Sequence, residues 1–88
     1  MQRITNTQLQ AVVTRINRVT NSPEAYMADG VILVGHYHLD CAYGGVQLVR
    51  TCNTSGGVSN VQLTGHVTKR ELYDLMHAFL SGIYYAQC

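Results

Sequence analysis

The first regular signal along the chain is a spacing of threes and fours. Leu9, Val12, Val13, Ile16 and Val19 share one side of a helix with about 3.6 residues per turn, which predicts a helix over residues 5–20. Thr5 followed by Gln8 has the form of a capping box, in which each side chain takes a backbone amide of the other's residue. Thr14, Arg15, Asn17 and Arg18 lie mostly off the apolar stripe and are expected to face solvent or a partner. Asn21-Ser22-Pro23 ends the helix, because the residue before a proline leaves the helical region and Pro23 has no amide hydrogen.

Beyond Pro23 the chain changes to strand signals. Val31 to Leu39 is β-branched and aromatic-rich, and the turn dipeptide Asp29-Gly30 would pair it with Tyr26-Met27. Gly44-Gly45 permits a reversal into a strand over residues 46–52. There Val46, Leu48, Arg50 and Cys52 share one face and Gln47, Val49 and Thr51 the other. Asn53-Thr54-Ser55-Gly56-Gly57 reads as a loop and Val58 to Thr64 as a further strand.

Thr68 with Glu71 three residues on opens a second helix. Its apolar face is Leu72, Leu75, Met76, Phe79, Leu80 and Ile83, and its end is expected near Gly82 or at Tyr84-Tyr85. The predicted fold is α+β in one domain spanning residues 1–88: an N-terminal helix, a small antiparallel sheet of three to four strands, and a C-terminal helix, with both helices on one face of the sheet.

Composition adds an expectation of self-association. An 88-residue chain buries only about 60–65% of its unfolded surface. With 47% apolar and 12% charged residues it holds more apolar surface than one copy readily hides. Six Lys and Arg against five acids give +1, which offers no electrostatic case for binding duplex nucleic acid. Cys41, Cys52 and Cys88 are odd in number and lack a CxxC pair, so they read as reduced cysteines, the first two partly buried. The N-terminal stretch has no apolar signal region, and no run approaches the roughly 18 apolar residues of a membrane span, which favours a soluble intracellular protein.

Three features carry candidate chemistry. On a strand His36, His38 and Asp40 point one way, as ligands of a metal ion would. Metallo-β-lactamase-like hydrolases carry such an H-x-H-x-D stretch, usually followed by another His, but here Cys41 follows. Only His66 and His77 remain as further ligands, so the expectation is no metal and no cofactor, with the histidines structural. The start of the second helix offers unpaired amides, the helix dipole, Lys69 and Arg70 to an anion, unless Thr68 and Glu71 satisfy those amides themselves. Tyr43 beside Gly44-Gly45 would suit a flat ring stacking close to the backbone, or simply pack in a turn; Asn53 would bond a ligand, or simply open its loop.

In the order of its features, RINRVTNSPE, VGHYHLDCAYGG, TCNTSGG and GHVTKRELYDLMHAFLSGIY, the chain resembles a phage family, the Thoeris anti-defence sponges. These bind a cyclic ADP-ribose-type (glycocyclic ADP-ribose) immune signal without cleaving it. The resemblance covers nearly the whole chain, which is shorter than other members. It implies ligand-binding roles for Arg18, Tyr43, Asn53 and Arg70: a late first-helix arginine, a central-turn aromatic, a loop asparagine and an arginine opening the last helix. It also implies a homo-oligomer built from dimers, up to a hexamer as a trimer of dimers, in the cytoplasm of an infected bacterial host. Some members trap cyclic oligonucleotides at a separate site, which has no assignment in these residues. Two other readings compete with sequestration: a small metal-dependent phosphodiesterase using His36, His38 and Asp40, and a protein-binding inhibitor of a host factor using the helical stripes.

Overall fold

The computed structural model describes residues 3–61 and 65–87. Helix α1 (Asn6–Val19) is followed by two short strands, β1 (Met27–Ala28) and β2 (Val31–Ile32). Strands β3 (Tyr37–Ala42), β4 (Gly45–Thr51) and β5 (Val58–Asn60) come next, and helix α2 (Lys69–Gln87) closes the chain. β1 and β2 form a hairpin of their own, and β3-β4-β5 form an antiparallel sheet. The fold is α+β, as the alternation of periods predicts.

The capping box of α1 is present: the Gln8 amide donates to the Thr5 hydroxyl at 3.2 Å and the Thr5 amide to Gln8 Oε1 at 2.8 Å. At its far end Asn21 adopts φ 59° and the Ser22 amide reaches back to the Asn17 carbonyl at 2.8 Å, so a left-handed residue stops the helix before Pro23 does. Leu9, Val12, Val13 and Ile16 are buried, together with Leu48 of β4 and Leu72, Met76 and Leu80 of α2, in one core between the helices and one face of the sheet. Each fully buried aliphatic side chain there contributes about 1.5–3 kcal/mol.

Four expectations need correcting. Asn17 does not face solvent: it is 2% exposed, its Nδ2 donates to the Tyr37 carbonyl at 3.0 Å and its Oδ1 accepts from the Tyr37 amide at 2.9 Å. It thus supplies the edge of β3 with the pair of bonds a further strand would give. The expected strand over 31–39 breaks into β2 and β3 at Gly35, whose φ of 98° is closed to other residues, and whose missing Cβ would lie 3.3 Å from an Arg50 guanidinium nitrogen. Cys41 and Cys52 are exposed rather than partly buried: Cys41 sits near the tip of the β3–β4 hairpin, paired with Val46, and Cys52 follows the last residue of β4. Finally, α2 does not end near Gly82 but runs to Gln87; a lone glycine in the final turns costs only about 1 kcal/mol.

The turns also differ in detail. Asp29-Gly30 forms the expected hairpin, but the second reversal is Tyr43-Gly44 rather than Gly44-Gly45, with Ala42 paired to Gly45. Both turns hold their two central residues at positive φ, which continues the right-handed twist of the strands. The last strand is regular only over Val58–Asn60; residues 62–64 of the expected strand, and Cys88, lie outside the described residues.

The two-layer arrangement leaves the chain flat, at 42 × 38 × 22 Å. Large apolar side chains remain exposed at the β1–β2 hairpin (Met27, Val31) and at the end of α2 (Tyr84, Tyr85). Among the described residues, no helix is long and apolar enough to cross a membrane.

Candidate functional site

Helices α1 and α2 run side by side from the same end of the sheet. Asn6 and Lys69, one at the start of each, line a cleft of about 370 Å³ with Cys41, Ala42, Gly44, Gly45 and Val46 of the β3–β4 hairpin. A volume of this order is at the lower end of small-molecule pockets. Two helix N-termini and the Lys69 ammonium give this end of the molecule a positive field.

Tyr43 is the outermost residue of the hairpin. It sits at φ 53° and is 98% exposed. It does not line the cleft; its ring meets the His66 imidazole edge-on, at 5.6 Å between centroids. A left-handed aromatic is unusual in a turn where Asn, Asp or Gly has no such strain, and burial does not repay it.

Arg70, next to Lys69 in the first turn of α2, is 3.6 Å from Asp74, with both side chains more than half exposed. Thr68 caps this helix: its hydroxyl accepts from the Glu71 amide at 3.1 Å and donates to the Glu71 carboxylate at 3.1 Å. Among the described residues, the amides of Lys69 and Arg70 carry no bond from this cap.

The other two expected residues lie at the opposite end. Arg18, beside the Asn17 that grips Tyr37, pairs with Glu24 at 3.0 Å with both side chains exposed. Asn53 opens the loop after β4, where its Oδ1 accepts from the Ser55 and Gly57 amides at 2.9 Å each; only its amide nitrogen is left for a ligand. The seven residues of β4, roughly 23 Å at about 3.3 Å each, separate the two ends. One chain therefore brings Tyr43 and Arg70 to one end, and Arg18 and Asn53 to the other.

The face of the sheet away from the helices carries a polar network. Asp40 Oδ2 accepts from Gln47 Nε2 at 2.9 Å and from His66 Nε2 at 3.0 Å, and Gln47 Oε1 accepts from Asn60 Nδ2 at 2.7 Å. These bonds hold the Asp40 carboxyl below the usual carboxylate range, that from Gln47 contributing most. His36 and His38 stack at 5.5 Å with Tyr26 edge-on to both, and His36 Nδ1 donates to the Pro23 carbonyl at 2.8 Å. Burial, and then the neighbouring His36, push the His38 imidazole below its ordinary value. His77 lies in α2 against Tyr73, at 4.5 Å between ring centroids.

With His36 bonded to a carbonyl and Asp40 to Gln47 and His66, the H-x-H-x-D stretch is not arranged as one ligand set. Among the described residues no three His, Cys, Asp or Glu side chains are grouped to hold a metal ion. The Asp40–Gln47 pair was visible in principle from facing strand positions. His66 was not, since its approach depends on how residues 65–67 return to β4.

Comparison with protein-family models, curated proteins and solved structures finds no match.

Proposed function

We propose that this chain binds a cyclic ADP-ribose-type (glycocyclic ADP-ribose) signalling nucleotide and sequesters it intact, as a phage anti-defence sponge acting in the cytoplasm of the infected host. The observation that carries the reading is Tyr43, an aromatic ring held almost fully in solvent on a backbone that disfavours it. Strain kept without a packing return is characteristic of ligand clamps. A ring so displayed stacks on a purine, a contact of about 1–3 kcal/mol per base.

The remaining groups suit the rest of such a ligand. Among the described residues Arg70 pairs with an exposed i,i+4 partner, Asp74, and Arg18 with an exposed Glu24. Exposed pairs contribute about 0–1 kcal/mol, so either arginine exchanges its carboxylate for a pyrophosphate at little cost. Nanomolar capture requires about −12 kcal/mol, more than one open face of a small protomer provides. A homo-oligomer in which a second copy brings its Arg18–Asn53 end to the first copy's Tyr43–Arg70 end encloses the ligand, and the exposed apolar residues of the β1–β2 hairpin and α2 support such association.

The test is capture followed by release. The protein is mixed with purified glycocyclic ADP-ribose, loss of free nucleotide is measured, and the protein is then denatured. Intact recovery is expected. Destruction of the nucleotide that EDTA blocks would favour the phosphodiesterase using His36, His38 and Asp40, and no loss at all would leave a protein-binding inhibitor.

A further inference from the structure

The Tyr43 ring has little to hold it. Tyr43 is 98% exposed, and among the described residues the ring contact that orients it is with His66. His66 is itself firmly placed, its side chain only 19% exposed, and a Cβ added at Gly45 would stand 3.0 Å from its Cβ. The absence of a side chain at Gly45 is what lets His66 lie across the hairpin.

The orientation of the imidazole follows from a chain of donors. Asn60 donates to the Gln47 oxygen, which fixes that amide so that its nitrogen faces Asp40; the Gln47 nitrogen and His66 Nε2 then both donate to Asp40 Oδ2. The carboxylate accepts, so the proton lies on Nε2. The chain crosses β5, β4 and β3 and ends under the one ring the hairpin tip displays.

We propose that His66 is the positioning residue of this site: seated on Gly45 and anchored by Asp40, it holds the Tyr43 ring in the orientation in which the ring stacks on the ligand. The orientation is a property of the free protein, whereas its consequence for capture rests on the function proposed above. A side chain ordered before binding loses less freedom on binding, and removing the order that one exposed edge contact imposes weakens capture by roughly twofold.

The experiment has two arms. In the free protein, NMR reads the contacts of the Tyr43 ring with residue 66 and the ring's rotamer averaging. Asp40→Ala removes the anchor while leaving both His66 and Tyr43 in place, and Asp40→Asn keeps an acceptor. Gly45→Ala presses on the His66 Cβ and equally on the Val67 carbonyl that accepts from the Val46 amide, so it displaces His66 together with the backbone that carries it. Expected are a mobile Tyr43 ring in Asp40→Ala, with core resonances unchanged, a mobile ring in Gly45→Ala, where Val46 and Val67 shift as well, and recovery of the ordered ring in Asp40→Asn. In the second arm, calorimetry with glycocyclic ADP-ribose is expected to show the loss in capture in the two disordered variants and its return in Asp40→Asn. An ordered Tyr43 ring in a folded Asp40→Ala chain overturns the positioning role even if Tyr43→Ala abolishes capture. Wild-type protein that ignores the nucleotide overturns the functional reading instead, while the first arm still decides the role of His66.

Discussion

Replacing Tyr43 with asparagine separates strain from function. The perturbation is confined, because the ring is 98% exposed and its removal returns almost no buried area to water. At φ 53° a residue with a Cβ sits in the left-handed region at a cost of roughly 1–2 kcal/mol. Asparagine enters that region several-fold more readily, so about 1 kcal/mol is regained. Against this stands the edge contact with His66 at 5.6 Å, worth about 0.5 kcal/mol at an exposed site. The net expectation is that Tyr43→Asn is more stable by about 0.5 kcal/mol, or roughly 2–4 °C for a chain of this size. Capture falls in the opposite direction: losing one stacking contact of about 1–3 kcal/mol weakens binding roughly 5- to 150-fold.

Urea denaturation at several protein concentrations measures the first effect and keeps any change in association apart from it. Titration calorimetry with glycocyclic ADP-ribose measures the second. Should the asparagine variant prove less stable by 1 kcal/mol or more, the ring is contributing packing that an exposed side chain does not have. A variant that gains stability yet captures as tightly as wild type removes Tyr43 from the site.

Three further outcomes are expected. Asn17→Leu strands the buried amide and carbonyl of Tyr37 and lowers stability by about 2–4 kcal/mol in chemical denaturation; a loss under 0.5 kcal/mol would mean that water takes over both bonds. The His38 imidazole titrates below its ordinary 6.5 in the folded chain, so the unfolded chain binds the proton first; stability is complete above that value, falls as pH drops through the folded pKa, and is flatter over this window in His38→Gln, as thermal melts at stepped pH would show. If each site joins opposite ends of two copies, a refolded equal mixture of Tyr43→Ala and Asn53→Ala chains regains about a quarter of wild-type capacity by forming one intact site per mixed dimer, whereas sites within single chains regain none.

Much of the fold was legible where a local rule acts alone, although the glycines at 44–45 and 82 misled on the exact turn and on the end of α2. The period of three and four at Leu9 to Val19, the capping box at Thr5 and the Asp29-Gly30 turn all depend on residues within a few positions of one another. Asn17 was misplaced for the opposite reason. Its helical position borders the stripe, and its burial is decided by a β-strand edge twenty residues away. The break at Gly35 is set by its φ of 98°, where the chain bends and the Arg50 side chain of β4 lies close against it, a contact fifteen residues away in the sequence. Of the four expected ligand residues, the sequence order is silent on distance: Tyr43 and Asn53 are ten positions apart in the chain, yet an extended strand between them puts them at opposite ends. The Asp40–His66 pair was invisible, because a separation of 26 residues leaves no periodic trace.

That separation of ends bears on how so small a chain would hold a whole nucleotide, as proposed. A molecule 22 Å thick has room for one layer of helices on one sheet, about 10 Å each, and none for a pocket enclosed on all sides. Under the proposed function each chain would instead display partial sites: a ring and an arginine at the hairpin end, an arginine and a loop asparagine at the other. Neither half accounts for nanomolar binding, since one stacked base and one charge-assisted bond contribute only a few kcal/mol between them. Two copies aligned end to opposite end double the contacts and exclude water from the charged ones, where each such bond strengthens. The exposed apolar residues of the β1–β2 hairpin and of the end of α2 would supply the association that this alignment needs, so the features that leave the isolated chain poorly covered are those that the proposed oligomer consumes.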